Sequence, residues 1–386
     1  MKVNEKSQDA KTPVLRIVAF VIAITIAVGA FTAGIVSLNK RDEGWYEITP
    51  NPSEDGTFYS GGMEFLYYFA GGSNEIRQME REIAAAYSIE LERMYKLFDP
   101  ENTYEGYVNL ASLNQSEGKW LGVSEELYEA LKTAHAYTAE GAGYSVFSGE
   151  LYREWEGLVY LMSPAESDPL SDAAERARLD AITAALGAED AVRLELRDGS
   201  REVRLTRSEE YKRAETELEL AGAPLDFGLL RDVFTVEYVA AALAERGFKN
   251  GIFQTVSGVT YSMADNEAGQ KEVLGFADGK AQALAAFDVP AGTLVCECRA
   301  FARTEDEAAF YTVEADGGTV YRSLHYDARS GDCPDTVLSA YAVSTRSSGF
   351  ASVAYDCLRL FLSGAKPASS GTEFYYTLKT APEQVR

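Results

Sequence analysis

Apolar residues recur along this chain in two rhythms, one of three or four residues and one of two, and the switches between them lay out the expected elements. From Asn74, which reads as a cap, Ile76, Met79, Ile83, Tyr87, Leu91, Met94 and Phe98 follow at the spacing of one buried helical face. Ser124 caps a second helix that carries Leu127, Leu131, Ala134 and Thr138, with His135 beside the stripe as a packing residue rather than a ligand. Asp168 to Gly187 reads as an Ala-rich helix closed by its glycine, and Thr235 to Arg246 as another, ended at Gly247. The period of two marks strands: an aromatic one at Phe65 to Phe69, a hairpin at Val192 to Thr206 around Asp198-Gly199, and an apolar pair, Ala309 to Glu314 and Thr319 to Tyr326, about the turn Asp316-Gly317-Gly318. A strand at Val337 to Val343, a helix at about Ser352 to Leu362 and an added strand at Thr372 to Leu378 complete the pattern. Strands and helices interleaved in this way predict an α+β fold, mixed sheet packed with helices.

The N-terminus departs from both rhythms. Ile17 to Leu38 holds 22 residues without a charge, enough to cross a bilayer core of about 30 Å. Lys2, Lys6, Lys11 and Arg16 before it outnumber Lys40 and Arg41 after it, which places the N-terminus in the cytoplasm and the rest outside. Val28-Gly29-Ala30 would serve as a signal-peptide cleavage site, but the apolar run continues past it, which favours an uncleaved anchor. The expected organisation is a cytoplasmic tail at 1–16, a transmembrane anchor at 17–38, a polar linker at 39–57 and an extracytoplasmic domain at 58–386.

Charge narrows the partners. The net charge is −24, and since residues 1–43 are net positive by two the remainder carries −26; such a field disfavours nucleic acid and anionic lipid. Cys296, Cys298, Cys333 and Cys357 permit three disulfide pairings outside the membrane, and the sequence does not choose among them. With two histidines and no C-x-x-C pair, a thiolate metal site is disfavoured and a structural role for the cysteines expected.

Three stretches carry a resemblance. Leu97 to Trp155 has an acidic loop, then Asn114, the helix start Val123-Ser124, and a turn through Gly141 and Gly143 to Tyr144-Ser145. Pro224 to Phe234 contains Asp226, Gly228 and Asp232-Val233, and Thr255-Val256-Ser257-Gly258 follows. Leu324-His325-Tyr326-Asp327-Ala328-Arg329-Ser330-Gly331 then precedes an apolar strand and a helix. In this order, over roughly Phe58 to Gly364, the chain resembles the ApbE family, flavin transferases that move FMN from FAD onto a threonine of a target protein. The resemblance implies flavin contacts from Gly141, Gly143, Tyr144, Asp226, Gly228 and Gly258, catalytic roles for His325 and Asp327, and a metal ligand at Asp356.

The departures from the family pattern fall on the chemistry. The family's lysine, which faces the pyrophosphate, is Asp232 here and the glycine after it Val233; the histidine position is Leu324, with His325 one residue on. The aspartate and threonine that hold Mg²⁺ correspond to Ala354 and Leu358, or, if Asp356 is the carboxylate, the threonine position is Leu360. On a strand a shift of one residue would turn His325 to the opposite face. Two readings follow: a membrane-anchored, degenerate flavin-binding or protein-interaction module without transferase activity, or a divergent FAD:protein FMN transferase. FAD is the ligand the resemblance implies, and Mg²⁺ is expected only if the protein is active. A ligand-free structural surface protein is the reading from outside the family.

Overall fold

The computed structural model describes residues 41–386 except 54–58, 60–61, 162–163, 266–268, 278–279 and 305–306. The anchor expected at Ile17 to Leu38 lies outside the described residues, and among those described no helix is long and apolar enough to cross a membrane. Contacts divide the chain into two units, residues 1–44 with Phe69–Arg81, and Trp45–Tyr68 with Glu82–Arg386. In the described part of the first, Arg41 donates its amide to Ser73 Oγ at 2.9 Å and its guanidinium to Glu80 at 2.9 Å.

The second unit contains almost all of a seven-stranded sheet. Its order is β1 (Gly44–Glu47), β2 (Met63–Phe69), β6 (Gly251–Thr255), β7 (Val259–Ser262), β10 (Thr293–Arg299), β13 (Val337–Thr345) and β14 (Glu373–Leu378). The β1 strand lies within the stretch read as a linker; four residues of alternating burial are too short a pattern to stand out in a sequence scan. Alternation then divides β10 between two partners. Cys296 and Cys298 face helix α8 (Phe350–Ser363), whose Cys357 thiol donates to Cys296 O at 3.2 Å and Ala340 O at 3.4 Å. Val295 packs instead with Tyr341 against Val273 and Phe287 of a long hairpin, β8 (Gly269–Ala277) and β9 (Lys280–Val289). All four cysteines are free and buried, as a packing role expects.

Helix α1 (Ser73–Phe98) buries the expected stripe of Ile83, Tyr87, Leu91, Met94 and Phe98. A short α2 (Leu110–Asn114) precedes α3 (Glu125–Ala139), which starts where Ser124 Oγ accepts from Leu127 N. Helix α4 (Gly149–Val159) carries Trp155, whose Nε1 donates to Gly331 O at 2.9 Å. Trp155, Leu151, Leu179, Ile182, Tyr326 and Cys333 form one core with α5 (Ala173–Gly187). A three-stranded sheet, β3 (Leu121–Gly122), β5 (Glu202–Arg207) and β4 (Val192–Arg197), is followed by α6 (Glu209–Glu217). Helix α7 (Arg231–Glu245) caps α8: its Glu237 accepts from the amides of Gly349 at 2.6 Å and Phe350 at 3.0 Å. The hairpin β11 (Tyr311–Ala315) and β12 (Gly318–Arg322) ends four residues before Tyr326, so Leu324 and His325 are not on a strand.

Candidate functional site

A cleft opens where α1 ends. The turn after it is tied by Asp99, whose carboxylate accepts from Glu101 N at 2.8 Å, Asn102 N at 3.0 Å and Tyr104 Oη at 2.6 Å. On α4, Tyr152 and Glu156 stand one helical turn apart and project together. Gly228, with φ of +53°, bends the chain after Asp226 into a single turn that runs on into α7 and presents Arg231 and Asp232. Two adjoining cavities result, of about 240 and 440 Å³, which share Tyr152, Glu156, Arg231 and Asp232. The first also reaches Tyr95, Asp99, Glu101, Arg153 and Asp226; the second reaches Tyr160, Ser257, Glu307, Phe310, Leu324 and His325.

Among the described residues, six carboxylates line this cleft against two guanidiniums. Both cations are engaged. Arg231 Nη2 donates to both oxygens of the buried Asp226, at 2.8 and 2.9 Å, and Arg153 donates to Glu101 at 2.8 Å. Burial pushes the Asp232 carboxyl up, and neither its hydrogen bond to Ser257 nor the charge of Arg231 restores it. Burial also raises Glu156; the pull of Arg231 is insufficient, and Asp226 opposes it. At Asp99, burial works the same way, but the hydrogen bonds from Tyr104, Asn102 and Glu101 more than offset it and hold that carboxyl low. Tyr152 sits amid Arg231, Asp226, Glu156 and Asp232, and burial leads the rise of its hydroxyl's pKa.

Leu324 and His325 border the larger cavity, whereas Tyr326, the next residue, lies against a much smaller space. Gly143, Tyr144, Tyr326 and Leu358 enclose a crevice of about 20 Å³. Ala328 N donates to Gly143 O at 2.8 Å, and a Cβ on Gly143, whose φ is +98°, would stand 2.7 Å from Leu362 and 3.2 Å from the Asp327 carboxyl carbon. Asp327 accepts from Arg329 N and Nε, each at 2.9 Å, and from Arg329 Nη2. Burial raises its pKa, but these bonds win and keep it an anion. Tyr144 is itself buried, its hydroxyl donating to Phe227 O at 3.1 Å, so it secures the loop at 226–228 and offers no face to the large cleft.

The expected site residues therefore separate. Asp226 and His325 line the cleft, Gly143 and Tyr144 the crevice, and Gly228 both; Asp327 lies behind Gly143 and lines neither, and Gly141 forms an open turn, where a Cβ would meet nothing within 4 Å. Gly258 serves strand packing, since a Cβ there would lie 2.3 Å from Glu297 O. Asp356 lies away from both, accepting from Ser369 Oγ and pairing with Arg359 at 3.8 Å, whereas Leu358, on the same helix, faces the crevice. The expected reversal of Leu324 and His325 does not occur, because the chain has left the strand and both line the same cavity. His325 is nonetheless buried against Phe361, and burial, aided by Arg299, pushes its pKa down to about 3. Tyr152, Glu156 and Arg231 are what the sequence reading missed. The four-residue spacing of Tyr152 and Glu156 was the available signal for the first two, but no cap marks the helix that carries them.

No family model matches the sequence, and no curated protein matches it. Solved structures do. The chain superposes on the ApbE protein of Thermotoga maritima with a TM-score of 0.57 at 15% identity, covering 89% of this chain and 96% of that one. The flavin transferase ApbE of Vibrio cholerae gives 0.55 at 14%, over 88% and 95%, and the Pseudomonas stutzeri flavinyl transferase ApbE in its apo form 0.51 at 13%, over 88% and 92%. This is the ApbE fold. The fold expected from the ordered segments is thus present along nearly the whole chain, with identities that speak for architecture and not for chemistry.

The groups that the ApbE fold implies do not fit the residues present. FAD brings a pyrophosphate, and like charges about 4 Å apart repel by about 1 kcal/mol in water and about 4 kcal/mol near a protein surface. This cleft already has an excess of carboxylates, among them Asp232, which the resemblance sets against the family's lysine, and Arg231 is paired to Asp226. For Mg²⁺, the resemblance sets the threonine position at Leu358 or Leu360, apolar in either register; Asp327 is bound by Arg329, and Asp356 accepts from Ser369 and pairs with Arg359. Among the described residues no three His, Cys, Asp or Glu side chains converge on a point where a metal ion could sit.

Proposed function

We propose that this is a membrane-anchored, extracytoplasmic protein of ApbE fold that lacks FMN-transferase chemistry and acts as an interaction module. The observation that carries this reading is the ion pair of Arg231 with Asp226 beside Asp232. Phosphoryl transfer from FAD depends on neutralising the pyrophosphate and on a base near the attacking hydroxyl, and its catalysis is mostly positioning plus electrostatics. Here the cation is already neutralised, an extra carboxylate stands next to it, and His325, neutral with a pKa near about 3, is a weak base. Loss of one such group typically costs about two to three decades in rate, and these losses coincide in one site. The anchoring supports an interaction role, because a domain held at a membrane surface meets partners there at raised effective concentration.

The test is incubation of the full-length protein with FAD, Mg²⁺ and a flavin-acceptor domain, followed by mass measurement of the acceptor. No added mass is expected. An FMN adduct that disappears with His325→Ala or Asp356→Ala would establish the divergent transferase instead. Placement is tested on intact membranes: external protease should digest the domain, and protection would overturn the topology.

A further inference from the structure

The rim of the cleft is apolar and its floor anionic. Tyr95, Tyr160 and Val256 are 41%, 54% and 78% exposed, and each lines one of the two cavities. Beneath them most carboxylates are satisfied: Asp226 by Arg231, Glu101 by Arg153, Glu307 by Arg299, and Asp99 by the donors of its own turn. Among the described residues Glu156 and Asp232 form no salt bridge: Asp232 holds the Ser257 hydroxyl, and Arg231, bound to Asp226, attracts both without pairing with either. Both line both cavities, and both flank Tyr152.

We propose that this cleft docks an extended segment of a partner polypeptide, with a lysine or arginine side chain entering between Glu156 and Asp232 and its apolar neighbours resting on Tyr95, Tyr160 and Val256. The inference rests on the reading of the protein as an interaction module and names the chemistry of its partner. Charge complementarity selects the occupant: a cation that enters gains two carboxylates, the half-buried Asp232 and the more exposed Glu156, with the Tyr152 ring beside it. The apolar rim selects a polypeptide over a small amine, because a free ammonium would leave those side chains in water. A long basic side chain suits both requirements, laying an apolar stem along the wall and carrying its charge to the floor. The chain's own basic tail, Lys2 to Arg16, is on the far side of the membrane in the proposed topology and does not compete.

The experiment uses the full-length protein in detergent micelles and fluorescence anisotropy of labelled peptides with the core Ser-Leu-Lys-Leu-Ser. The lysine and arginine forms are expected to bind about tenfold or more tightly than forms with glutamate or norleucine at that position. The Glu156→Gln/Asp232→Asn pair should lose about that factor, and Tyr160→Ser a smaller one, with an unfolding midpoint like the parent's confirming that each variant is folded. Butylamine should compete only in large excess. Equal binding of all four peptides, indifference to the double variant, or butylamine saturating at peptide-like concentrations would overturn the docking inference. FAD is titrated in parallel. If neither FAD nor peptide binds, docking alone fails; if FAD displaces the peptide, the cleft accepts a pyrophosphate and the reading beneath it fails as well.

Discussion

The crevice among Gly143, Tyr144, Tyr326 and Leu358 encloses about 20 Å³, whereas the neighbouring cleft around Tyr152, Arg231 and Asp232 encloses about 240 and 440 Å³ in two chambers. The crevice holds the glycine turn at Gly143 and Tyr144 and is filled by packing. The cleft retains its space but not the charges that a pyrophosphate requires. Keeping a fold and keeping a site thus place different demands on a sequence: the first is met by apolar residues of suitable size, the second needs particular charges at particular points.

The comparison breaks if the closed region proves tolerant and the open one fragile. Behind the crevice, Arg322 donates to the fully buried Asp168 at 2.7 and 3.2 Å, Tyr311 adds a third bond at 2.9 Å, and Trp155 lies under the guanidinium. Arg322→Met leaves that carboxylate buried without its cation and should cost about 3–5 kcal/mol in urea unfolding. Leu358→Ala opens a cavity beside the crevice and should cost about 2–4 kcal/mol by the same measurement. In the cleft, Glu156→Gln should change stability by no more than about 0.5 kcal/mol, because the side chain is exposed and forms no salt bridge among the described residues.

Between these in size is an effect of pH. His325 has its folded pKa depressed to about 3 from the ordinary 6.5, so the unfolded chain takes the proton first. The associated stability is present in full above about pH 6.5 and is lost as pH falls towards 3, at about 1.4 kcal/mol per pH unit. Denaturant midpoints of the parent should therefore fall between pH 6.5 and 4.5, above the range in which the low-lying carboxyls of Asp99, Asp168 and Asp327 take up protons. His325→Leu should flatten that slope, and an unchanged slope would show that another group carries it.

Where one strong periodic signal governs an element, the sequence was enough. The stripe from Ile76 to Phe98 became α1, the cap at Ser124 opened α3, and the turn at Asp198-Gly199 joined β4 to β5. Legibility failed where local preference and tertiary context disagree. The β9 run KAQALAAFDV is rich in helix formers, yet pairs with β8 along its length and packs on Tyr341. At the site, order of segments was readable but side-chain direction was not. The alternation argument for His325 lapsed because β12 ends at Arg322, and the weight of Arg231 emerged only once folding brought Asp226 to it. Asp356 matched by residue type and lay two positions from the one facing the crevice, a difference of direction on a helix that spacing alone left undecided.

The central claim is that the open cleft is electrostatically closed to a dinucleotide. It is tested most directly by the absorbance spectrum of the purified full-length protein after incubation with FAD, with and without Mg²⁺, and dialysis. The account predicts a colourless protein in both cases; flavin retained at near one equivalent would contradict it.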